Sequence, residues 1–208
     1  LTRSEIAGKT KLPENGVLTK KLNDLINSGF IRCNPAYKHE SRDMHYQLCD
    51  YYTKFYFSFV RENAGKNAHM WSITNDDRQR TAWQGFTFEQ VCKDHIEQIK
   101  NGLGISAVRS EVWSWVKKGD DAENGAQIDI VIDRHDHVIS LCEAKFYSHE
   151  YELKKSEDEN LKNKVSVFRE ETRTNKTIQV VLITTYGVRK NKYSNYIARV
   201  IDLDKLFE

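Results

Sequence analysis

The sequence predicts an α/β protein in which a small helical module precedes a larger unit built from a sheet and flanking helices. Two patterns lead to this prediction. The first 50 or so residues show two short amphipathic helices followed by two short strand-like runs. From about residue 81 onwards, a helix, three strands, a second helix and two further strands follow in turn, which is the order of an α/β sandwich.

The first module is predicted to contain two helices and a hairpin. Ser4 is a suitable N-cap for a helix that ends at Lys9, and a Pro-Glu-Asn-Gly turn separates this helix from the next, over 17–28. Strand-like runs follow at 30–32 and 45–48. Helix, turn, helix and hairpin is the order of a winged helix that lacks its first helix.

In a winged helix, the second helix of this module would be the one that enters a major groove. Lys20 and Lys21 lie off its apolar stripe, which makes them candidates for substrate binding. The polar loop of the hairpin adds Lys38, His39 and Arg42. A small packing module that contacts only protein accounts for the same pattern about equally well, because the excess of basic residues is slight.

An aromatic-rich segment over 50–62 has helical spacing, which favours a packing role over a base-stacking surface. The polar stretch that follows is the best candidate for a boundary. We therefore expect a winged-helix-like module with its aromatic helix at 1–62, a linker at 63–80 and a second domain at 81–208.

The second domain is predicted to open with a helix over 86–100, ended by Gly102 and Gly104. A charged segment over 151–173 carries a sparse apolar stripe and is expected to be a surface helix. Strands are predicted at 107–116, 127–133, 138–146, 178–185 and 197–201.

Composition excludes several classes of protein. There is no apolar run of 18 residues, so no membrane span is expected. The four cysteines lie far apart without a CxxC pair, which argues against a structural zinc site or a disulfide framework. A net charge of +2 does not by itself indicate a polyanionic partner. The chain opens at Leu1 without a signal-like segment, and we expect the cytoplasmic end of a longer polypeptide.

Two short motifs suggest function but fit ordinary structure better. Gly8-Lys9-Thr10 matches the end of a phosphate-binding loop, yet Arg3 stands where the first glycine is required and no strand precedes it. His135-Asp136-His137 has metal-ligand chemistry, but it falls where two strands must reverse, and such residues are common in polar turns.

Charged residues inside two apolar strands are the strongest functional signal. Asp129 lies within an aliphatic run, and Glu143 and Lys145 follow another. Because strand residues alternate, Glu143 and Lys145 share a face. The same spacing recurs at Glu152 and Lys154, where charge is commonplace, so the buried context is what distinguishes the first pair. A buried charge needs a partner, and a divalent cation is a strong candidate.

A shared metal requires Asp129 and Glu143 to project from the same face of the hairpin. A reversal of two or four residues would instead pair Asp129 with Cys142. We therefore predict a loop of three or five residues, or a bulge. Glu89 lies one position beside the apolar stripe of its helix, so it is expected to reach toward the same place, although an exposed helix glutamate would look the same.

Together, Glu89, Asp129, Glu143 and Lys145 resemble the active-site pattern of the PD-(D/E)xK nuclease superfamily, which has the restriction-endonuclease-like fold. The order of helix, strands and crossover helix is also similar. Over nearly the whole chain, the opening module and the short motifs resemble the C-terminal part of archaeal-type ATPases of bacteria and archaea. One departure is that Ile128 replaces the proline of the superfamily's name.

The resemblance implies a mixed sheet flanked by helices and a DNA-associated nuclease-like domain with Mg²⁺-dependent phosphodiester hydrolysis. By analogy, Asp129 and Glu143 hold Mg²⁺, Glu89 assists, Lys145 orients or activates the attacking water, and Gln127 contacts substrate. ATP would bind only in an upstream ATPase domain. Two Mg²⁺-binding carboxylates and an ammonium suit this chemistry, because Mg²⁺ prefers oxygen ligands and retains several waters.

Two alternatives use the same residues differently. In one, the chain is a catalytically silent DNA-binding tail; in the other, it is a protein-interaction or regulatory tail of the ATPase. DNA and the upstream ATPase domain are thus the expected partners, and a homo-oligomer is left open. The sequence does not distinguish DNA from RNA, or single strands from duplex.

Overall fold

The computed structural model describes residues 1–34, 37, 44–61, 63, 65, 78–117, 119 and 125–208. The chain forms two compact units, Leu1–Thr87 and Phe88–Glu208. The division falls within a helix, Arg78–Asp94. Most of the linker predicted at 63–80 lies outside the described residues, as do Lys38, His39 and Arg42.

The first unit begins with two helices and a hairpin, in the predicted order. Helix α1 is Arg3–Thr10, helix α2 is Gly16–Asn27, and strands β1 (Ile31–Asn34) and β2 (His45–Leu48) pair antiparallel. Because Gly8, Lys9 and Thr10 lie inside α1, they form a helical turn and not a phosphate-binding loop.

The N-cap of α1 is Thr2, two residues before the predicted Ser4. The Thr2 hydroxyl accepts the N–H of Glu5, and the Glu5 carboxylate accepts the N–H of Thr2. This reciprocal capping box satisfies two donors at once, which explains why the helix starts earlier than expected. The apolar faces of α1 and α2 then meet through Ala7, Leu18 and Leu22, which are buried.

The aromatic segment is helical, as expected. Helix α3 (Tyr51–Phe55) continues into a π-helical turn at Tyr56–Val60. Phe55 and Phe59 pack edge-on against Trp83 at centroid distances of 5.8 and 5.7 Å. These rings therefore contribute to packing within the first unit, in agreement with the prediction for this segment.

Three helices belong wholly or partly to the second unit. Helix α4 is Arg78–Asp94, helix α5 is Ile96–Gly102, and helix α6 is Lys155–Thr172. The prediction of one helix over 86–100 was wrong at its start and missed a break at His95, whereas Gly102 does end the helical region. The first eight residues of α4 lack a regular apolar stripe, so periodicity missed them, and the chain breaks at His95 before α5 begins.

A five-stranded mixed sheet forms the centre of the second unit. Its strands are β3 (Ser110–Lys117), β4 (Ala126–Arg134), β5 (Val138–Lys145), β6 (Thr177–Thr184) and β7 (Arg199–Asp202). They lie in sequential order, with β3 paired antiparallel to β4, β4 antiparallel to β5, and β5, β6 and β7 parallel. Helix α6 makes the crossover between the parallel neighbours β5 and β6.

Both faces of this sheet are covered. Ile130, Ile132 and Cys142 pack with Phe88 and Cys92 of α4 on one face. On the other face, the alternate β6 residues pack with Leu161 of α6. The second unit is thus a mixed α/β fold with helices on both faces of the sheet, and residues 139–143 of the middle strand β5 are buried.

Two further predictions concern composition. All four cysteines lie in described segments, and none of them forms a disulfide. Among the described residues, no helix combines the length and the apolar character needed to cross a lipid bilayer.

Candidate active site

The β4–β5 hairpin has the kind of turn that the sequence predicts. The ladder pairs Asp133 with Ile139 and Ile130 with Cys142, so the two strands are joined by the three-residue turn 135–137. His137 adopts a left-handed φ of 63°, which is common at the third position of such loops. The prediction of an odd-numbered loop is therefore confirmed, and His135–His137 forms the turn.

Asp129 lies just beyond the paired part of this hairpin. Asp129 and Glu143 are the next residues on the two strands after the last pair, Ile130 and Cys142. The strands do not pair through their main chains there; instead Oδ2 of Asp129 accepts the backbone N–H of Ala144 at 3.0 Å. The Asp129 side chain is thereby fixed between the two strands, beside Glu143.

A β-bulge in β4 includes Asp129. Trp113 pairs with Val131 and Trp115 pairs with Ile128, so one residue of β3 faces two residues of β4, Asp129 and Ile130. A bulge adds a residue to one strand and redirects its side chain. It also interrupts the strict alternation along β4, which is why the position of Asp129 does not follow from counting residues.

Glu143 is buried in the middle of the sheet, with a side chain that is only 4% exposed. Both of its carboxylate oxygens accept hydrogen bonds from Nζ of Lys164, each at 2.7 Å. Nζ of Lys145 lies farther away, 3.9 Å from Oε2 of Glu143, and its side chain is 35% exposed. Two ammonium groups therefore serve one buried carboxylate, and the closer one comes from helix α6.

The electrostatics of Glu143 show that the two carboxylates interact. Burial, followed by the negative charge of Asp129, raises the pKa of Glu143 to about 7, although Lys164 and Lys145 oppose the rise. Like charges that share a buried site resist ionising together, so a cation placed between them would be favourable.

Lys164 was not predicted from the sequence, although a signal for it exists. It lies three residues after Leu161 and four before Phe168, and both of these are buried. Residues with this spacing lie on one face of a helix. A lysine at an inward-facing position of an amphipathic helix implies a buried anionic partner, and that partner is Glu143.

Glu89 is placed differently from the other predicted site residues. It forms an ion pair with Lys93, one turn later in α4, and its side chain is 12% exposed. Burial, Asp129, Cys142 and Glu89 all raise the pKa of the Cys92 thiol well above its usual range, so Glu89 is electrostatically linked to this region. Among the described residues, however, no three acidic, histidine or cysteine side chains converge on a point suitable for a metal.

The proposed substrate contacts are all on the surface. Gln127 is exposed on β4, two residues before Asp129, with the bulge beginning between them. Lys20 and Lys21 are exposed on α2 of the first unit, while Leu18 and Leu22 of the same helix are buried. The structure thus groups Asp129, Glu143 and Lys145, and adds Lys164 to them.

Neither a protein-family model nor a curated protein matches the chain. Two solved structures are similar at a TM-score of 0.39 each. A protein of unknown function, AF1548, is 14% identical, and the match covers 56% of this chain and 64% of that one. Protein VC1899 from Vibrio cholerae is 11% identical, and the match covers 99% of this chain and 46% of that one. The chain therefore spans less than two thirds of either structure.

Proposed function

We propose that the second unit is a nuclease-like domain of the PD-(D/E)xK, restriction-endonuclease-like class, which hydrolyses phosphodiester bonds of DNA with the help of Mg²⁺. One observation carries the proposal: Asp129 is anchored to β5 beside Glu143, and the ammonium group of Lys145 is 3.9 Å from the same glutamate. Two carboxylates and a lysine at one end of a β-hairpin are the groups that this chemistry needs.

The donor set fits a magnesium ion. Asp129 and Glu143 supply carboxylate oxygens, and Mg²⁺ is commonly held by one or two carboxylates together with waters and substrate phosphates. The raised pKa of Glu143 is consistent with the fit, because burial is its largest cause and the negative charge of Asp129 is the second. When bound, the ion would supply a more acidic water and neutralise charge on the phosphate.

The chain's own residues then have separate tasks. Lys145 orients the attacking water and stabilises negative charge that develops on the phosphate, since its partly exposed ammonium group can reach a substrate. The bond from Ala144 holds the Asp129 carboxylate in one orientation. Glu89 assists from α4, and Gln127 contacts the substrate at the surface of β4.

The first unit is proposed to be a winged-helix-like module that binds DNA through Lys20 and Lys21. This proposal is supported by the exposure of both lysines on α2, the helix whose Leu18 and Leu22 are buried. By the same resemblance, we propose that an ATPase domain upstream is the partner of this chain and the place where ATP binds.

The decisive experiment is a cleavage assay with supercoiled plasmid and single-stranded DNA, in MgCl₂ or in EDTA. We expect Mg²⁺-dependent cleavage that drops at least about a hundredfold in Glu143→Gln, which removes a proposed metal ligand, and in Lys145→Ala, which removes the ammonium group that acts on the water and the phosphate. Lys155→Ala is the control, since Lys155 is an exposed lysine at the start of α6. Full activity in both site variants, with circular dichroism unchanged, would refute the assigned roles.

A second function is favoured by one observation. Lys164 neutralises Glu143 through two short hydrogen bonds, so the buried carboxylate has a good partner without any metal. This arrangement suits a catalytically silent domain that binds DNA or regulates the ATPase through protein contacts. Salt-sensitive DNA binding without cleavage would support the DNA-binding form, and no affinity for DNA at all would support the protein-interaction form.

A further inference from the structure

We propose that Lys164 is an internal counter-ion that competes with the divalent cation for Glu143, and that it must release the carboxylate when the cation binds. This inference rests on the proposed function and adds a positioning residue to the same site. It begins with the two hydrogen bonds of 2.7 Å from Nζ of Lys164 to the two oxygens of Glu143. These bonds occupy the oxygens that a metal would use.

The charges of the site indicate that Lys164 and a divalent cation would compete for Glu143 and would not bind it together. The charged groups that act on Glu143 are the Asp129 carboxylate and the ammonium groups of Lys164 and Lys145, so with both carboxylates ionised the four formal charges cancel without a metal. A divalent cation would add two positive charges in a largely buried place. Such an excess is costly, and it is relieved when one ammonium group withdraws or a phosphate arrives.

Lys164 is the group that must move. It is the only one of the two lysines within hydrogen-bond distance of Glu143, since Lys145 is at 3.9 Å. Its side chain is 18% exposed, so its tip has a route to solvent. The long flexible stem of a lysine allows the ammonium group to move while the methylene groups stay packed against the sheet.

The same helix offers a matched control. Lys162 pairs with Asp158 one turn earlier, at 2.7 Å, and its side chain is 53% exposed. Asp158 is not among the proposed metal ligands. Replacing Lys162 therefore removes a charge of the same sign from the same helix, while Glu143 keeps its hydrogen bonds to Lys164.

The test is a titration of the 208-residue chain with MnCl₂ by isothermal calorimetry at pH 8.5 and low salt. We expect Lys164→Met to bind Mn²⁺ roughly tenfold more tightly than the native chain, because the cation no longer has to displace a charge-assisted hydrogen bond. Lys162→Met should match the native affinity. Adding Glu143→Gln to Lys164→Met should abolish the gain.

Thermal unfolding gives a second measurement on the same proteins. Lys164→Met should be less stable than the native chain without metal and should gain more from added Mn²⁺, because binding to the folded state alone raises stability. If methionine prevents folding at this position, Lys164→Gln serves instead, since it removes the charge and keeps a hydrogen-bond donor.

The outcomes separate the two proposals. Equal or weaker Mn²⁺ binding in Lys164→Met, with clear binding by the native chain, would overturn the competition and leave the metal-dependent function standing. If neither the native chain nor the variant binds Mn²⁺, both the metal site and the counter-ion role are wrong. Tighter binding that survives Glu143→Gln would also overturn the inference, because the cation would then lie elsewhere.

Discussion

Asp129 and Ala144 are joined by a hydrogen bond of 3.0 Å, in which a side-chain oxygen on β4 accepts a main-chain N–H of β5. The bond lies beyond the last paired residues of the two strands, Ile130 and Cys142. A carboxylate thus takes the place of a backbone acceptor just after the main-chain pairing between β4 and β5 ends. It fixes one oxygen of Asp129 and sets its charge beside Glu143.

The first prediction separates these two effects of Asp129. Asp129→Asn keeps an oxygen that can accept the Ala144 N–H and removes the negative charge. We expect the pKa of Glu143 to fall, because the charge of Asp129 is the second largest cause of its rise, after burial. The measurement is an NMR titration of the Glu143 side-chain carboxyl carbon. An unchanged pKa would mean that the two carboxylates do not interact.

The second prediction concerns the dependence of stability on pH. The pKa of Glu143 is raised from its ordinary value of 4.5 to about 7, so at intermediate pH the folded chain holds a proton that the unfolded chain releases. Its contribution to stability is full below about pH 4.5 and is lost as the pH rises through 7. The loss is on the order of 3 kcal/mol for a shift of this size.

The matching measurement is urea unfolding of the native chain and of Glu143→Gln between pH 4.5 and 8. The variant serves as the reference, because a glutamine side chain does not titrate. The difference in unfolding free energy between the two proteins should fall across this range. Glu97→Gln is the control, because the Glu97 side chain is 78% exposed. Parallel pH profiles for the native chain and Glu143→Gln would contradict the prediction.

The third prediction concerns the aromatic contact that packs helix α6 against the sheet. Phe168 is completely buried and packs edge-on against Trp115, with ring centroids 5.3 Å apart. Phe168→Ala should cost about 3–5 kcal/mol of unfolding free energy, because it removes a large buried ring and leaves a cavity. Tyr186→Ala, at a site that is 60% exposed, should change stability little. Equal effects of the two substitutions would show that α6 is not held by this contact.

The fourth prediction tests DNA binding by the first unit. Lys20→Ala and Lys21→Ala combined should weaken binding to duplex DNA and lower the slope of log affinity against log salt by roughly two, if each lysine contacts a phosphate. Fluorescence anisotropy at several salt concentrations measures both quantities. Lys155→Ala, which changes an exposed lysine of the second unit, should leave the slope unchanged. A native slope in the double variant would exclude α2 as the contact surface.

Most elements of the fold were predictable because their patterns are local. The β4 and β5 strands were found within one residue at each end, since long aliphatic runs bounded by a polar turn leave little choice. The start of α4 was missed because its first two turns, from Arg78, show no apolar stripe. The capping box at Thr2 also moved a boundary, since a reciprocal pair of bonds is stronger than a single N-cap.

The site was predictable only in part. Asp129, Glu143 and Lys145 stand out by being charged within apolar strands, and the hydrogen bond from the Ala144 N–H links Asp129 to the strand that carries Glu143. The bulge at Asp129 depends on the pairing of β4 with β3, which no local pattern reveals. Lys164 was not singled out among the many charged residues of α6, because only its position on the buried face of the helix distinguishes it from its neighbours.

The turn 135–137 has a consequence for related chains. With three residues in the turn, the ladder ends with Ile130 opposite Cys142, and Asp129 and Glu143 are the next residue on each strand. An insertion or deletion that shifted the register of the two strands by one residue would turn one carboxylate toward the other face of the sheet, whereas a shift of two residues would preserve the pair. Insertions and deletions in this turn should therefore be tolerated during evolution in steps of two wherever the site is under selection, and in single steps where it has been abandoned.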